Sequence, residues 1–273
     1  MLGKLLKYEW KSIGRILPLI YLAVLVLSVC LGISFRSSMY SEIGWGNVLF
    51  LSIYILLVMA MAVVTIVVVI EHFYRSMISQ EGYLMHTLPV KSWQHIASKL
   101  IMAVIWIAIA VAVVLVSFLL IGAVSGLMAD LRNDQIFLEA LREMKDLFVS
   151  YHYQVVLLII CTVIQVIRII LQLYLAMAIG GSATKNKVAF SFLAFVVLAV
   201  IVSVISVIAT MGSEMLGADG IVNLFTGTAA EGSISVDGIF DGVFVSQIIM
   251  DGVLAVVFFV LTNYFLKNRL NLQ

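Results

Sequence analysis

Residues 100–123 read LIMAVIWIAIAVAVVLVSFLLIGA, twenty-four positions without a charged side chain. About 20 apolar residues carry an α-helix across the hydrocarbon of a bilayer. A half-buried strand would alternate apolar with polar side chains, and this run does not. Working outward, five more long apolar runs occupy 16–33, 48–70, 155–179, 188–210 and 243–266. Hydrophobic residues make up 63% of the 273 and charged residues only 11%, against about a quarter charged in a soluble domain. So few charges cannot clothe a soluble globule of this size. The expected fold is therefore an all-α polytopic membrane protein, with 1–273 as a single transmembrane domain of six spans. Of the two prolines, Pro18 falls in the first turn of the first span, where a missing N–H costs little, and Pro89 lies between spans.

The remaining composition excludes several functions. Cys30 and Cys161 both sit inside apolar runs and show no metal-ligand spacing, so neither a disulfide framework nor a metal site is expected. The first apolar run follows basic residues, as in a signal peptide, but it is long and no small-x-small cleavage pattern follows. His72, His86 and His95 have spacings that fit no metal motif. No HExxH occurs, and no nucleic-acid partner is expected.

Charge asymmetry sets the expected orientation. With a cytoplasmic N-terminus, inner segments hold Lys4, Lys7, Lys11, Arg15, Arg75, Lys91, Lys99, Lys185, Lys187, Lys267 and Arg269. Outer segments hold only Arg36, Arg132, Arg142 and Lys145. Cytoplasmic loops are the ones enriched in Lys and Arg, so both termini are expected in the cytoplasm, the chain being multi-pass in a bacterial plasma (inner) membrane.

Three segments outside the spans have character of their own. Residues 1–15 place Lys4, Lys7, Lys11 and Arg15 on one helical stripe opposite Leu2, Leu6 and Ile13. That pattern predicts an interfacial helix on the lipid bilayer, each base gaining about 1 kcal/mol near anionic lipid. Glu9 points to its apolar side and needs a partner, either an internal base or another protein. Residues 133–151 repeat Phe137, Leu141, Met144, Phe148 and Tyr151 at helical spacing, which predicts an amphipathic outer helix. Residues 211–242 carry five acids, no base and many glycines, an acidic outer segment.

Within the spans, Cys161, Gln165, Arg168 and Gln172 fall on one stripe of the fourth, and Asp251 follows Gln247 by one turn in the sixth. An unpaired arginine at the centre of a membrane helix costs about 2.5–3.5 kcal/mol or more. These residues either line a translocation path or pair internally to fix helix packing. With the sixth span starting at 243, Arg168 and Asp251 differ in depth by about 9 Å, so pairing would require the arginine to reach along the bundle. Ser203, Ser206 and Thr210 share a face suited to helix–helix hydrogen bonds, and Gly122 with Gly126 forms a small-xxx-small pair.

The segment 71–99 between the second and third spans is mixed in polarity. It contains Glu81, Gly82, Tyr83, Leu84 and Met85, then Leu88-Pro89-Val90-Lys91-Ser92. Pro89 stops a helix ending near Leu88, and Ser92 is a suitable N-cap for the next. A short, partly apolar helix under the membrane follows from that order. Glu-Gly, then Leu-Pro-Val with a basic residue, Ser-x-Gln and a Lys-Leu entering a membrane helix resembles the permease subunits of ABC-2-type exporters. The opening Lys-Leu-Leu-Lys-Tyr-Glu-Trp-Lys is similar to the start of the same permeases, especially those of Gram-positive bacteria. The resemblance implies a permease that pairs as a homodimer or with a related permease and couples to a cytoplasmic ABC ATPase subunit. It also implies a coupling helix in this segment, with Glu81, Tyr83, Leu84, Leu88 and Pro89 facing the ATPase and Glu9 beside it.

The chain has no GxxxxGK[ST] phosphate cradle, since Lys91-Ser92 and Lys11-Ser12 lack the glycine frame. It is not expected to be an enzyme or to hold a cofactor; ATP and Mg would be bound by the partner ATPase. Two other classes fit the same composition. One is an ATP-independent secondary transporter or channel that uses Arg168 and Asp251 as an ion relay. The other is a membrane accessory or immunity protein with no path.

Overall fold

The structure is a computed structural model and describes residues 2–14, 17–38, 45–77, 92–126, 135–182, 186–216 and 236–268. Among them are eight α-helices and no strand: α1 (Leu2–Ile13), α2 (Leu17–Ser38), α3 (Trp45–Met77), α4 (Ser92–Ser125), α5 (Gln135–Ser150), α6 (His152–Gly181), α7 (Lys187–Leu216) and α8 (Val236–Asn268). Six of them, α2, α3, α4, α6, α7 and α8, are long and apolar enough to cross a membrane. The helices outrun the apolar runs that predict them. At 33 residues, α3 and α8 are about 50 Å long, against roughly 30 Å of hydrocarbon. A helix satisfies its own backbone, so it continues past the lipid boundary until a turn signal stops it. Apolarity marks only the part inside.

The distribution of side chains is that of a protein dissolved in lipid. Large apolar residues face outward along every span, including Leu22, Leu56, Phe118, Ile159, Phe192 and Val256. A soluble monomer rarely shows contiguous apolar surface beyond a few hundred Å². The buried interior, by contrast, contains Ser28, Thr65, Ser117, Arg168, Gln172, Asp251 and Thr262.

The chain divides into two compact units. The first comprises Met1–His72 and Ile101–Leu147. Its core is a seam in which α2 contributes Leu17, Tyr21, Val24, Ser28 and Leu31, a strict alternation of four and three residues. From α3 come Tyr54 and Met61, and from α4 Met102, Trp106 and Ala110. Hydroxyls tie the seam across helices: Tyr21 bonds Thr65 and donates to the Trp106 carbonyl, both at 3.3 Å, and Tyr54 bonds Ser117. Each such bond within a membrane contributes about 0.6 kcal/mol on average. The close approach of α2 to α4 depends on Gly32, where a Cβ would lie 2.8 Å from that of Val124. Of the expected pair Gly122 and Gly126, Gly126, at φ +81°, follows the end of α4 in a left-handed conformation with open space around it.

The second unit comprises Phe73–Leu100 and Phe148–Gln273. Helices α6, α7 and α8 pack together in it, α6 mainly against α8. Near Gly180, α6 and α7 approach closely. A Cβ on Gly180 would lie 2.6 Å from the Ser191 amide nitrogen and 2.7 Å from its Cα, so only glycine fits. Ser203 and Thr210 donate to carbonyls of their own helix, Ala199 and Ser206 respectively. Helix α5, within the predicted 133–151, exposes Leu138, Met144 and Val149 as well as its charged residues.

Candidate functional site: a buried charge network and a clasp on the first helix

Helix α6 presents Arg168 and Gln172 one turn apart, and α8 presents Gln247 and Asp251 one turn apart. Between the two helices these four side chains form a chain of contacts. Arg168 Nε lies 2.6 Å from Asp251 Oδ1, meeting it as an ion pair rather than as an aligned hydrogen bond. Arg168 Nη1 donates to Gln172 Oε1 at 3.1 Å, and Gln247 Nε2 donates to Asp251 Oδ2 at 3.0 Å. Asp251 is wholly buried and Arg168 nearly so. Both carboxylate oxygens are engaged, and the pair is neutral as a whole, which is the condition for keeping charge at membrane depth.

The depth mismatch expected from sequence is absent. Helix α8 starts at Val236 rather than near 243. Asp251 is therefore fifteen residues into α8, as Arg168 is sixteen into α6. The acidic, glycine-containing start of α8 hides this in the sequence. The polar stripe of α6 is also divided: Arg168 and Gln172 are buried, Cys161 is partly buried, and Gln165 is exposed.

Six residues beyond Arg168, α6 carries Tyr174, fully buried in the second unit. Its ring stacks on Phe73 near the end of α3, centroids 3.9 Å apart and planes at 10°. Its hydroxyl donates to the Lys99 carbonyl near the start of α4 at 3.3 Å. His95 and Lys99 are buried there too. Tyr174 thus touches both helices that flank residues 78–91. Sequence reasoning missed it, because an aromatic in an apolar run gives no signal of its partners.

In the first unit, α1 buries Glu9 and Ile13 and exposes Lys7, Tyr8 and Lys11. Glu9 pairs with Nε2 of His72 on α3, the internal base that the sequence left as one alternative. The neighbouring Trp10 stacks on Trp106 of α4, centroids 4.9 Å apart and planes at 24°. One helix is thereby held to both α3 and α4. Of the expected coupling residues, Glu81, Tyr83, Leu84, Leu88 and Pro89 lie outside the described residues; residues 71–77 continue α3, and Ser92 opens α4.

No protein family, curated protein or solved structure matches the chain. Its functional reading therefore rests on its own residues.

Proposed function

We propose that this chain is the permease subunit of an ATP-driven ABC exporter. It would form the translocation path and couple to a separate cytoplasmic ATPase, with both termini in the cytoplasm. The observation that carries the reading is the clasp on α1. An amphipathic N-terminal helix is bound by Glu9 to α3 and by Trp10 to α4, the two helices joined by the segment whose sequence resembles a coupling helix. A force applied to residues 78–91 would act on both of those helices, and rigid-body movement of packed helices is an established means of switching. The second unit supports the same reading, because Tyr174 binds the ends of α3 and α4 adjoining that segment.

The burial of Arg168 and Asp251 favours one rival, an ATP-independent transporter that relays an ion through them. Against it, both oxygens of Asp251 are already engaged, so the network acts as a latch between α6 and α8. Affinity purification from native membranes in mild detergent separates the two readings. The exporter reading expects a co-purifying protein with a phosphate-binding loop and ATPase activity. Leu88→Asp and Pro89→Asp should abolish its coupling to transport while leaving membrane insertion intact. Transport that follows an ion gradient, with no such ATPase bound, refutes the proposal.

A further inference from the structure

Phe73 and Lys99 belong to the second unit, although α3 begins and α4 ends in the first. Helix α3 passes from one unit to the other between His72 and Phe73, and α4 between Leu100 and Ile101, each without a break. The end of α3 and the start of α4 are sunk in the second unit, where Phe73, Met77, Ile96, Ser98 and Lys99 are all buried. These are the two helix ends that residues 78–91 connect.

What they meet is α6. From Ile170 to Gly181 every residue of α6 except Leu173 and Ile179 is buried, whereas from His152 to Ile167 only Leu157 is. Burial over three consecutive turns covers every face of a helix, so this half of α6 is enclosed. Tyr174 contacts both helix ends with different parts of one side chain, its ring on Phe73 and its hydroxyl on the Lys99 carbonyl. Arg168, six residues earlier, lies about 9 Å along the axis and roughly 120° around it, and reaches Asp251 on α8. The ends of α3 and α4 thus grip one side of α6, and α8 grips another.

We propose that Tyr174 is a positioning residue for transport. It joins the end of α3 and the start of α4 to α6, and through the Arg168–Asp251 pair to α8, so a displacement of residues 78–91 carries α6 and α8 with it. The inference rests on the exporter reading and adds to it the route by which the second unit responds. Tyrosine suits the task because it has two handles. An aromatic stack contributes beyond the area it buries, and a hydroxyl among apolar groups keeps its bond because nothing there replaces it. Phenylalanine would hold α3 alone, and leucine would stack on neither.

Spin labels at Trp93→Cys on α4 and Tyr264→Cys on α8, both exposed positions of the second unit, test the joint in the full chain without any ATPase. In a background of Cys30→Ser and Cys161→Ser in nanodiscs, double electron–electron resonance should give one narrow distance. Tyr174→Phe should broaden it, and Tyr174→Leu should broaden it further. Tyr54→Phe removes a comparable buried hydroxyl bond from the first unit and should leave it narrow. With the co-purified ATPase in vesicles, Tyr174→Phe should lower transport per ATP hydrolysed about threefold and Tyr174→Leu about tenfold, for loss of the bond alone and of bond plus stack. Hydrolysis itself should persist, and Tyr54→Phe should keep the parent ratio. A merely structural tyrosine would instead lower hydrolysis and transport together, in proportion to the folded protein lost. That outcome, a distance as narrow in both Tyr174 variants as in the parent, or an unchanged transport-to-hydrolysis ratio overturns the proposal. If Tyr174→Leu fails to fold, Tyr174→Phe decides by itself. Broadening with no ATPase bound would leave the joint standing and refute the exporter reading instead.

Discussion

Removing one member of the Arg168–Asp251 pair should cost far more than removing both. At 2.6 Å and an effective dielectric of about 20, the direct attraction is ~6 kcal/mol before desolvation is subtracted. The net value of the pair is much smaller, because both ions have left water. Breaking it is another matter. Asp251 is wholly buried, so Arg168→Met leaves a carboxylate with only the Gln247 amide of those contacts. Disruptions of that kind cost about 3–5 kcal/mol, while replacing a whole buried pair with apolar residues of similar volume is often neutral or better. The cycle Arg168→Met, Asp251→Leu and the double substitution can be followed by thermal or detergent-induced unfolding in micelles.

We expect each single variant to lose about 3–5 kcal/mol and the double variant to recover most of that. The coupling energy would then be roughly 5 kcal/mol or more in magnitude, beyond the roughly 0.5–3 kcal/mol usual for interacting residues. Additive losses would refute the latch, since they would mean that the two side chains contribute independently. Transport by the stable double variant adds a second reading. A latch that only joins α6 to α8 can be replaced by apolar packing with transport retained, whereas an ion relay cannot.

Two further outcomes can be checked with the same preparations. Gly180→Leu should lower stability by about 1–3 kcal/mol through overpacking against the Ser191 backbone, read as a lower melting temperature; Gly212→Leu, with open space around it, should do much less. His72→Leu removes the His72 partner of the buried Glu9 carboxylate, a loss of about 1–3 kcal/mol. It should therefore expose a cysteine placed at Ile13, now 4% exposed, to a membrane-impermeant maleimide, and Glu9→Leu added to it should restore protection.

The spans were legible in the sequence because lipid imposes a single requirement over some twenty consecutive residues, and residues 100–123 or 188–210 satisfy it without ambiguity. Glu9 was legible for a related reason: one carboxylate on the apolar side of a helix demands a base. Which base was not, since His72 lies 63 residues away and nothing local to α3 marks it. The ends of α8 were hidden because lipid sets no pattern beyond its own thickness, so a helix starting in the acidic stretch looks like loop. That error moved Asp251 by two turns and concealed its match with Arg168. Gly32 and Gly180 were invisible as contacts, as a glycine in an apolar run does not announce what approaches it.

The same physics explains why the informative residues are so few. In an apolar bundle, leucine gains nothing by exchanging lipid for a neighbouring helix, so most of the chain is indifferent to its partners. Specificity falls to the exceptions: small residues that permit contact, rings that stack, and polar groups that cannot be left alone. Arg168 and Asp251 answer each other inside the second unit, as Glu9 and His72 do inside the first.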